Sequence, residues 1–526
     1  MLARAGSGTV IGIEAHPVEV EAHRANGIPM LALIGLARGA VRESVVRVRT
    51  AITATGIELR SQRQIINLLP AELPKEASAL DLALAVSMLA AGGVIPLAAL
   101  AGKRFFAELS LGGELEPVRG AALFADLVRR MGEHELIVPA DNAAEAAIIP
   151  GVRVIGARTL AEVVGHLCGL TALEVARPPP VGEAPAVGCF SEVRGQEQAK
   201  RALEIAAAGG HNLLMVGPPG SGKTMLARRL PGILPDLSAE ESIEVTRIHS
   251  AAGVLGAGLS LIRARPFRAP HHTASEAALC GGGSIPRPGE ITLAHRGVLF
   301  LDELPEFSRR GLETLREPLE EGAIHIARAS LSLCFPAQVL LVAAMNPCPC
   351  GRFRGDLSRA EEQGPTTGSP TPCLCSLDQV LRYRSRISGP LLDRIDLQVV
   401  VAAIPYREYS RSNAAESSQA IRARVLTARA LQAARLGPDR TNAAMREEEV
   451  RRFAALDDRA LTLLEDAVEE NGLSMRGLGR VLKVARTVAD LDGAHEIGGH
   501  HLEEAIRFRI LDWGRTGADL HLVDAA

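Results

Sequence analysis

The sequence predicts an α/β protein: a P-loop, parallel-sheet core between an α/β amino-terminal domain and an all-α carboxy-terminal lid. Three observations predict it. Apolar, strand-like runs at Asn212–Val216, Gly297–Leu301 and Val339–Ala344 alternate with helical patterns, as strands joined by crossover helices require. The first run leads straight into Gly217-Pro-Pro-Gly-Ser-Gly-Lys-Thr224, which fits G-x-x-x-x-G-K-[ST]. From about residue 440 onward the pattern is helical throughout.

A chain of 526 residues is long enough for about three domains. Its 58 basic and 61 acidic residues leave a net charge of −3, so total charge neither favours nor excludes a nucleic-acid partner, and any such surface must be local. Eight cysteines are too few for a disulfide scaffold, and Met1-Leu-Ala-Arg-Ala-Gly-Ser-Gly8 lacks the apolar core of a secretory signal. A reducing cytoplasm is the expected setting. Leu82–Gly102 carries no charge over 21 residues, but Gly92-Gly93 and Pro96 interrupt it. It reads as a buried helix, a turn and a second short helix, with no membrane span.

In chain order, residues 1–175 mix short β-like runs, such as the alternating Ser44–Thr50, with Ala-rich helical stretches. The stiff, polar stretch around Arg177-Pro-Pro-Pro180 makes 176–187 a linker. Residues 188–405 form the nucleotide-binding core. Within it, Gly355–Pro372 is rich in Gly, Pro, Ser and Thr and reads as a mobile loop. A helical connector follows over 406–439, with a helix near Glu416–Arg435, and then the helical lid over 440–526.

The motif at Gly217, Pro218, Pro219, Gly220, Ser221, Gly222, Lys223 and Thr224 carries its own chemistry. Its glycines let backbone N–H groups curl round phosphates, Lys223 reaches the β- and γ-phosphates of ATP, and the Thr224 hydroxyl suits Mg²⁺. Hydrolysis needs more: a carboxylate for the metal, a group that activates water, and a stabiliser of phosphate charge. Val298-Leu-Phe-Leu-Asp-Glu303 is a buried-strand run ending in two acids. Asp302 would hold Mg²⁺ and Glu303 would activate water. Leu340–Asn346 is a further apolar strand tipped by an amide that either orients the water or merely starts a turn at Pro347.

These blocks, together with Met345-Asn-Pro-Cys-Pro-Cys-Gly351, Ile387–Asp396, Arg265–Thr273 and Gly281–Glu290, resemble the magnesium-chelatase-like AAA+ ATPases, and within them the ComM/YifB group. The resemblance covers nearly the whole chain. It implies that Asn346 is the sensor-1 residue and that Arg394 is an arginine finger offered to a neighbouring subunit. Arg476, in Leu473-Ser-Met-Arg-Gly477, would be sensor 2; Met475 stands where the family usually has Ala. A finger supplied in trans implies a ring, a homo-hexamer. The alternatives are an internal pair of Arg394 with Asp393 or Asp396, and an exposed helix arginine at 476.

Arg263, Arg265, Arg268, His271, His272, Arg287, His295 and Arg296 cluster between the P-loop and the Asp302 strand. By resemblance this is an insert projecting toward a central pore, where basic loop tips would track DNA; the other reading is a basic loop packed on the next subunit. Cys348-Pro-Cys350 and Cys373-Leu-Cys375 flank the Gly355–Pro372 loop. Four thiolates there would suit structural Zn²⁺, with free thiols or a redox disulfide as alternatives.

Leu73–Asp81 and Ala107–Gly120 are similar to the proteolytic domain of Lon proteases, which works through a Ser–Lys dyad. The Lon-like pattern laid on this chain puts Ala79 at the nucleophile position and Ala122 at the lysine position. A Lon-protease-like fold without peptidase activity is therefore expected. The resemblance implies a motor that moves on DNA, through branch migration during recombination of incoming DNA in natural transformation. The alternative is a chelatase-like ATPase that remodels a protein partner for metal insertion.

Overall fold

The computed structural model describes residues 1–25, 30–34, 39–57, 63–73, 78–178, 187–255, 261–283, 286–328, 331–353, 373–403, 415–471 and 475–509. The Pro-rich linker stretch and the Gly355–Pro372 loop named above fall largely or wholly outside them, as does the tail from residue 510.

The amino-terminal part is built on a seven-stranded mixed sheet. Its strands are β1 (Leu2–Ile11), β2 (Glu14–Ala25), β3 (Leu31–Ile34), β4 (Arg63–Leu69), β5 (Lys103–Phe105), β6 (Glu135–Pro139) and β7 (Arg153–Ala157), in the order β3-β4-β2-β1-β5-β6-β7. β1/β2 and β2/β4 are antiparallel and the other pairs parallel. Ser44–Thr50 is not β: it lies inside helix α1 (Gly39–Ala54). Ser44, Val45, Val48, Ala51 and Ile52 are buried, whereas Val46 is 67% exposed. That spacing is a helical face, and the apparent alternation came from arginines placed between valines. The uncharged stretch behaves as expected. Helix α2 (Asp81–Ala91) is buried along its whole length, and a 3₁₀ turn follows at Leu97–Leu100. Among the described residues no helix is long and apolar enough to cross a membrane.

The central core is a five-stranded, all-parallel sheet. Its strands β8 (Leu213–Val216), β9 (Phe267–Arg268), β10 (Val298–Leu301), β11 (Leu340–Met345) and β12 (Leu397–Val400) run in the order β9-β10-β11-β8-β12. β8, β10 and β11 are buried at every position, because a parallel sheet covered on both faces needs continuous apolar runs. One face carries helix α3 (Glu197–Gly209), with helix α4 (Lys223–Arg229) at the sheet's carboxyl end. Connector helix α5 (Ser418–Leu436) and the carboxy-terminal helices α6 (Asp458–Asn471), α7 (Met475–Leu491) and α8 (Gly499–Arg507) follow. Ile421, Val425, Val481, Val484 and Leu502 join the same apolar cluster as Leu213 and Val399, so the lid shares a core with the sheet. The amino-terminal part also touches the core: Arg247 lies 3.4 Å from Asp126, and the Ser250 hydroxyl donates to Glu145.

Candidate nucleotide site

β8 ends at Val216, and at Gly217 an added Cβ would sit 2.1 Å from the Val401 carbonyl oxygen. Gly220 and Gly222 take φ of 76° and 95°, a left-handed conformation that disfavours side chains. These turns place Lys223 as the first residue of α4, where unpaired helix N–H groups and the helix dipole favour an anion. The Lys223 ammonium donates to the carbonyls of Gly217 (2.6 Å) and Pro218 (2.9 Å) and to Asn346 Oδ1 (3.4 Å). Burial draws its pKa below the ordinary lysine value, and the Asp302 and Glu303 carboxylates oppose that. The next residue, Thr224, donates its hydroxyl to Asp302 Oδ2 at 2.7 Å. Ser221 Oγ is buried with no hydrogen-bond partner among the described residues.

Because β10 runs parallel to β11, which in turn runs beside β8, the ends of all three strands converge on this loop. β10 delivers Asp302 and Glu303. The Glu303 backbone is left-handed, with φ of 53°, and its N–H donates to Asp302 Oδ1 at 3.0 Å. Its carboxylate is half-exposed and lies 3.1 Å from His272 Nδ1. β11 delivers Asn346, whose Oδ1 accepts from Lys223; burial pushes the Tyr383 phenol up to about 12, with the Asn346 backbone N–H opposing it. The residues present fit ATP and Mg²⁺. A hydroxyl and a carboxylate meet where a magnesium ion needs hard oxygens, and a buried ammonium lies beside the glycine-lined turn. Thus Lys223, Thr224, Asp302, Glu303 and Asn346 come together in one subunit.

Arg394 and Arg476 do not join them. The Arg394 guanidinium donates to the Pro390 carbonyl at 2.7 Å and pairs with Glu320. Glu320 is held below the usual carboxylate range, first by that hydrogen bond and then by the charges of Arg394, Arg476 and Arg480. Arg394 is buried and Arg476 exposed, and among the described residues neither hydrogen-bonds to the P-loop, Asp302 or Glu303. Asp393 and Asp396 are not the partners of Arg394. Asp396 is fully buried and pairs with Arg480, accepts from the Asn212 N–H at 3.1 Å, and lies 3.5 Å from His211 Nδ1.

The basic segment is largely committed within the subunit. Arg268 makes a bidentate pair with Glu290 at 2.7 Å, Arg265 donates to the Pro235 and Arg296 carbonyls, and His295 and Arg296 pair with Glu244. Arg263, His271 and Arg287 remain exposed. The four cysteines do converge: Cys348, Cys350, Cys373 and Cys375 place their sulfurs within 4.8 Å of one another. Ala79 and Ala122 are both buried, so neither position offers a hydroxyl or an amine.

Residues 189–409 match the family described as magnesium chelatase, subunit ChlI; residues 415–509 match its C-terminal family, and residues 20–142 match that of subunit ChlI of Mg-chelatase. The uncharacterised protein YifB of Escherichia coli K12 is 43% identical over 503 residues, covering 95% of this chain and 96% of its own. The competence protein ComM of Haemophilus influenzae is 41% identical over 509 residues, with the same coverage. The chain belongs to the magnesium-chelatase-like ComM/YifB family. A magnesium-chelatase 67 kDa subunit of Chlorobaculum parvum is more remote, at 28% identity over 164 residues, 30% of this chain and 23% of its own.

Two residues of this ComM/YifB family member escaped the reading of its sequence. Gln196 sits at φ 62° and donates to the Ser221 and Ala402 carbonyls at 3.2 and 2.6 Å, tying the P-loop to the end of β12. A left-handed glutamine has no sequence signature, since only Gly, Asn and Asp advertise that conformation. His272, one of the basic residues given either to a DNA-tracking loop or to packing on the next subunit, faces Glu303 of its own chain. The contact links residues 31 positions apart and needs the parallel pairing of β9 with β10 to form.

Proposed function

We propose that this protein is an ATPase subunit of a homo-hexameric ring that couples hydrolysis to movement on DNA. The observation that carries the reading is the division of the site. Lys223, Thr224, Asp302, Glu303 and Asn346 converge in one chain, while Arg394 bonds to Glu320 and the Pro390 carbonyl instead of to any of them. Lys223 and the P-loop N–H groups bind and orient the phosphates. Thr224 and Asp302 hold Mg²⁺, which when bound neutralises charge on the phosphate oxygens. Glu303 takes a proton from the attacking water, and Asn346 fixes that water's position. Arg394 of one subunit completes the site of its neighbour and stabilises charge on the transferred phosphoryl group, with Arg476 as sensor 2. Zn²⁺ at the four cysteines is the structural ion on this reading.

DNA as the track, branch migration as the output and natural transformation as the setting are supported by the likeness to the competence protein ComM. Exposed Arg263, His271 and Arg287 are the residues we propose for pore-loop contact with the DNA backbone. The amino-terminal part is proposed as a Lon-like domain without peptidase activity, because Ala79 and Ala122 occupy the dyad positions. The limits 1–175, 176–187, 188–405, 406–439 and 440–526 are proposed domain limits; the family matches break between 142 and 189 and between 409 and 415, whereas the C-terminal match runs across 439/440. Placement in the cytoplasm is likewise a proposal.

A second reading, a chelatase-like remodeller of a protein partner, draws on the chelatase family matches. The amino-terminal residues also match a family named for subunit ChlI, so that domain does not by name separate the two readings. ATP turnover measured with single-stranded, duplex and forked DNA, alongside a labelled four-way junction, tests the first. DNA should stimulate turnover, and junctions should migrate with the native protein but not with Lys223→Ala. Turnover indifferent to every DNA, with no junction movement, would refute the motor and leave the remodeller.

A further inference from the structure

The four-cysteine cluster lies against the nucleotide site. Cys348 follows Asn346 by two positions, on the turn that leaves β11. That turn closes at Gly351, with φ 76°, where an added Cβ would sit 2.4 Å from Pro219 Cδ of the P-loop. The cysteine turn therefore touches the P-loop on one side and carries Asn346, a partner of Lys223, on the other.

The sulfur geometry is that of a metal cage. Sγ atoms are separated by 3.4 Å (Cys348–Cys350), 3.7 Å (Cys348–Cys373) and 3.4 Å (Cys350–Cys373). A tetrahedron of thiolates about 2.3 Å from Zn²⁺ has edges of about 3.8 Å. Backbone N–H groups already point at the sulfurs: Phe353 donates to Cys348 Sγ at 3.3 Å. The buried Arg384 guanidinium lies beside the cluster and donates to the Pro347 carbonyl at 3.2 Å. It is a fixed cation next to four thiolates whose charge Zn²⁺ offsets only by half. Cys348 is buried, with Cys373 and Cys375 partly so, and Val380 and Leu377 pack round them. A four-sulfur donor set of this kind selects Zn²⁺ over hard cations such as Mg²⁺.

We propose that Cys348, Cys350, Cys373 and Cys375 bind one Zn²⁺ as a tetrathiolate, and that the ion fixes the turn bearing Asn346 against the P-loop. The four cysteines are then positioning residues for hydrolysis, and this second half rests on the ATPase reading above. Binding releases thiol protons, if any remain, and needs no oxidant or reductant. Zn²⁺ holds the turn that carries Asn346, so its loss misplaces the amide that orients water while leaving the P-loop cradle in place.

The test uses the full chain. Elemental analysis of purified protein should find about one zinc per chain, and Cys373→Ser/Cys375→Ser should lose it, while the distant Cys280→Ser/Cys334→Ser retains it. Replacing zinc by Co²⁺ should give the intense visible bands of tetrahedral cobalt thiolate. The double variant should keep ATP affinity within about threefold yet lose kcat by roughly 10–100-fold, since small misplacements of a catalytic group cost that much. Cys375→His, which retains a zinc ligand, should recover metal and most of kcat together. A native chain that neither contains nor takes up zinc, or a double variant with undiminished zinc, overturns the site. Zinc lost with kcat unchanged overturns the positioning role. Zinc present in a native chain that hydrolyses no ATP overturns the ATPase reading and its dependent positioning role, while the metal site stands.

Discussion

Glu303 holds a left-handed backbone conformation that costs a residue with a side chain about 1–3 kcal/mol. Nothing in the strand requires it: β10 already ends at Leu301. In this conformation the Glu303 N–H donates to Asp302 Oδ1 while Thr224 donates to its Oδ2, so both Asp302 oxygens are engaged. One acid is thus committed to the metal side and the other is left half-exposed beside His272. Glu303→Gln keeps shape and hydrogen-bonding capacity but removes the base. It should bind ATP with near-native affinity and lose kcat by roughly 10²–10⁴-fold, the range typical of a general base. A variant with more than a tenth of native kcat would remove Glu303 from that role. Lys223→Ala differs in kind, because it deletes the ammonium that three acceptors surround. Nucleotide binding itself should fall below detection in equilibrium titration; retained affinity would contradict the site.

At the scale of elements, the lid is fastened to the sheet by a buried polar node as well as by apolar packing. Asp396, at the entry to β12, pairs with Arg480 of α7, and His211, just before β8, meets Thr487 of α7 at 2.7 Å. Burial alone would raise the Asp396 pKa, but His211 and Arg480 outweigh it and hold the group well below the ordinary aspartate value. A depressed folded pKa means that the stabilisation is present above the unfolded value near 4 and is lost as pH falls through the folded one. Asp396→Asn should cost about 3 kcal/mol in urea unfolding at neutral pH, as breakage of a buried pair does. It should also flatten the acid limb of the stability profile below about pH 4. A cost under ~1 kcal/mol, with the acid limb unchanged, would show that the lid is held by its apolar face alone. This node was not legible in the sequence, where Asp396 stood only as a candidate partner for Arg394. The strands were legible, because a parallel sheet buried on both faces writes itself as unbroken apolar runs. Helix α1 was not: Val45, Val46 and Val48 carry β-branched bias, and only tertiary contact with α2 through Arg47 and Asp81 reveals the helical face. In the site, motif spacing located Lys223, Asp302, Glu303 and Asn346. Gln196 and His272 depend on contacts that only the folded sheet creates.

At the scale of the whole molecule, the position of one arginine decides what the subunit can do alone. Arg394 is held by Glu320 and the Pro390 carbonyl and bonds to none of the P-loop groups, so a single chain leaves its phosphate cradle without that cation. Subunits that meet head to tail, each offering one surface to a different surface of the next, close into a ring when the rotation permits. Arg394→Ala should then keep nucleotide affinity and lose about 10³-fold in kcat, as loss of an arginine finger does. The decisive result comes from mixing it with Glu303→Gln. Neither variant hydrolyses ATP well alone, yet an interface that pairs the intact Glu303 of the first with the intact Arg394 of the second has every group. In randomly mixed rings with equal amounts of each, about a quarter of the interfaces have that pairing. Turnover near a quarter of the native rate, appearing only after subunits are allowed to exchange, is the expected outcome. Mixtures no more active than their parts would place Arg394 in the service of its own subunit, with Glu320 as a permanent structural partner.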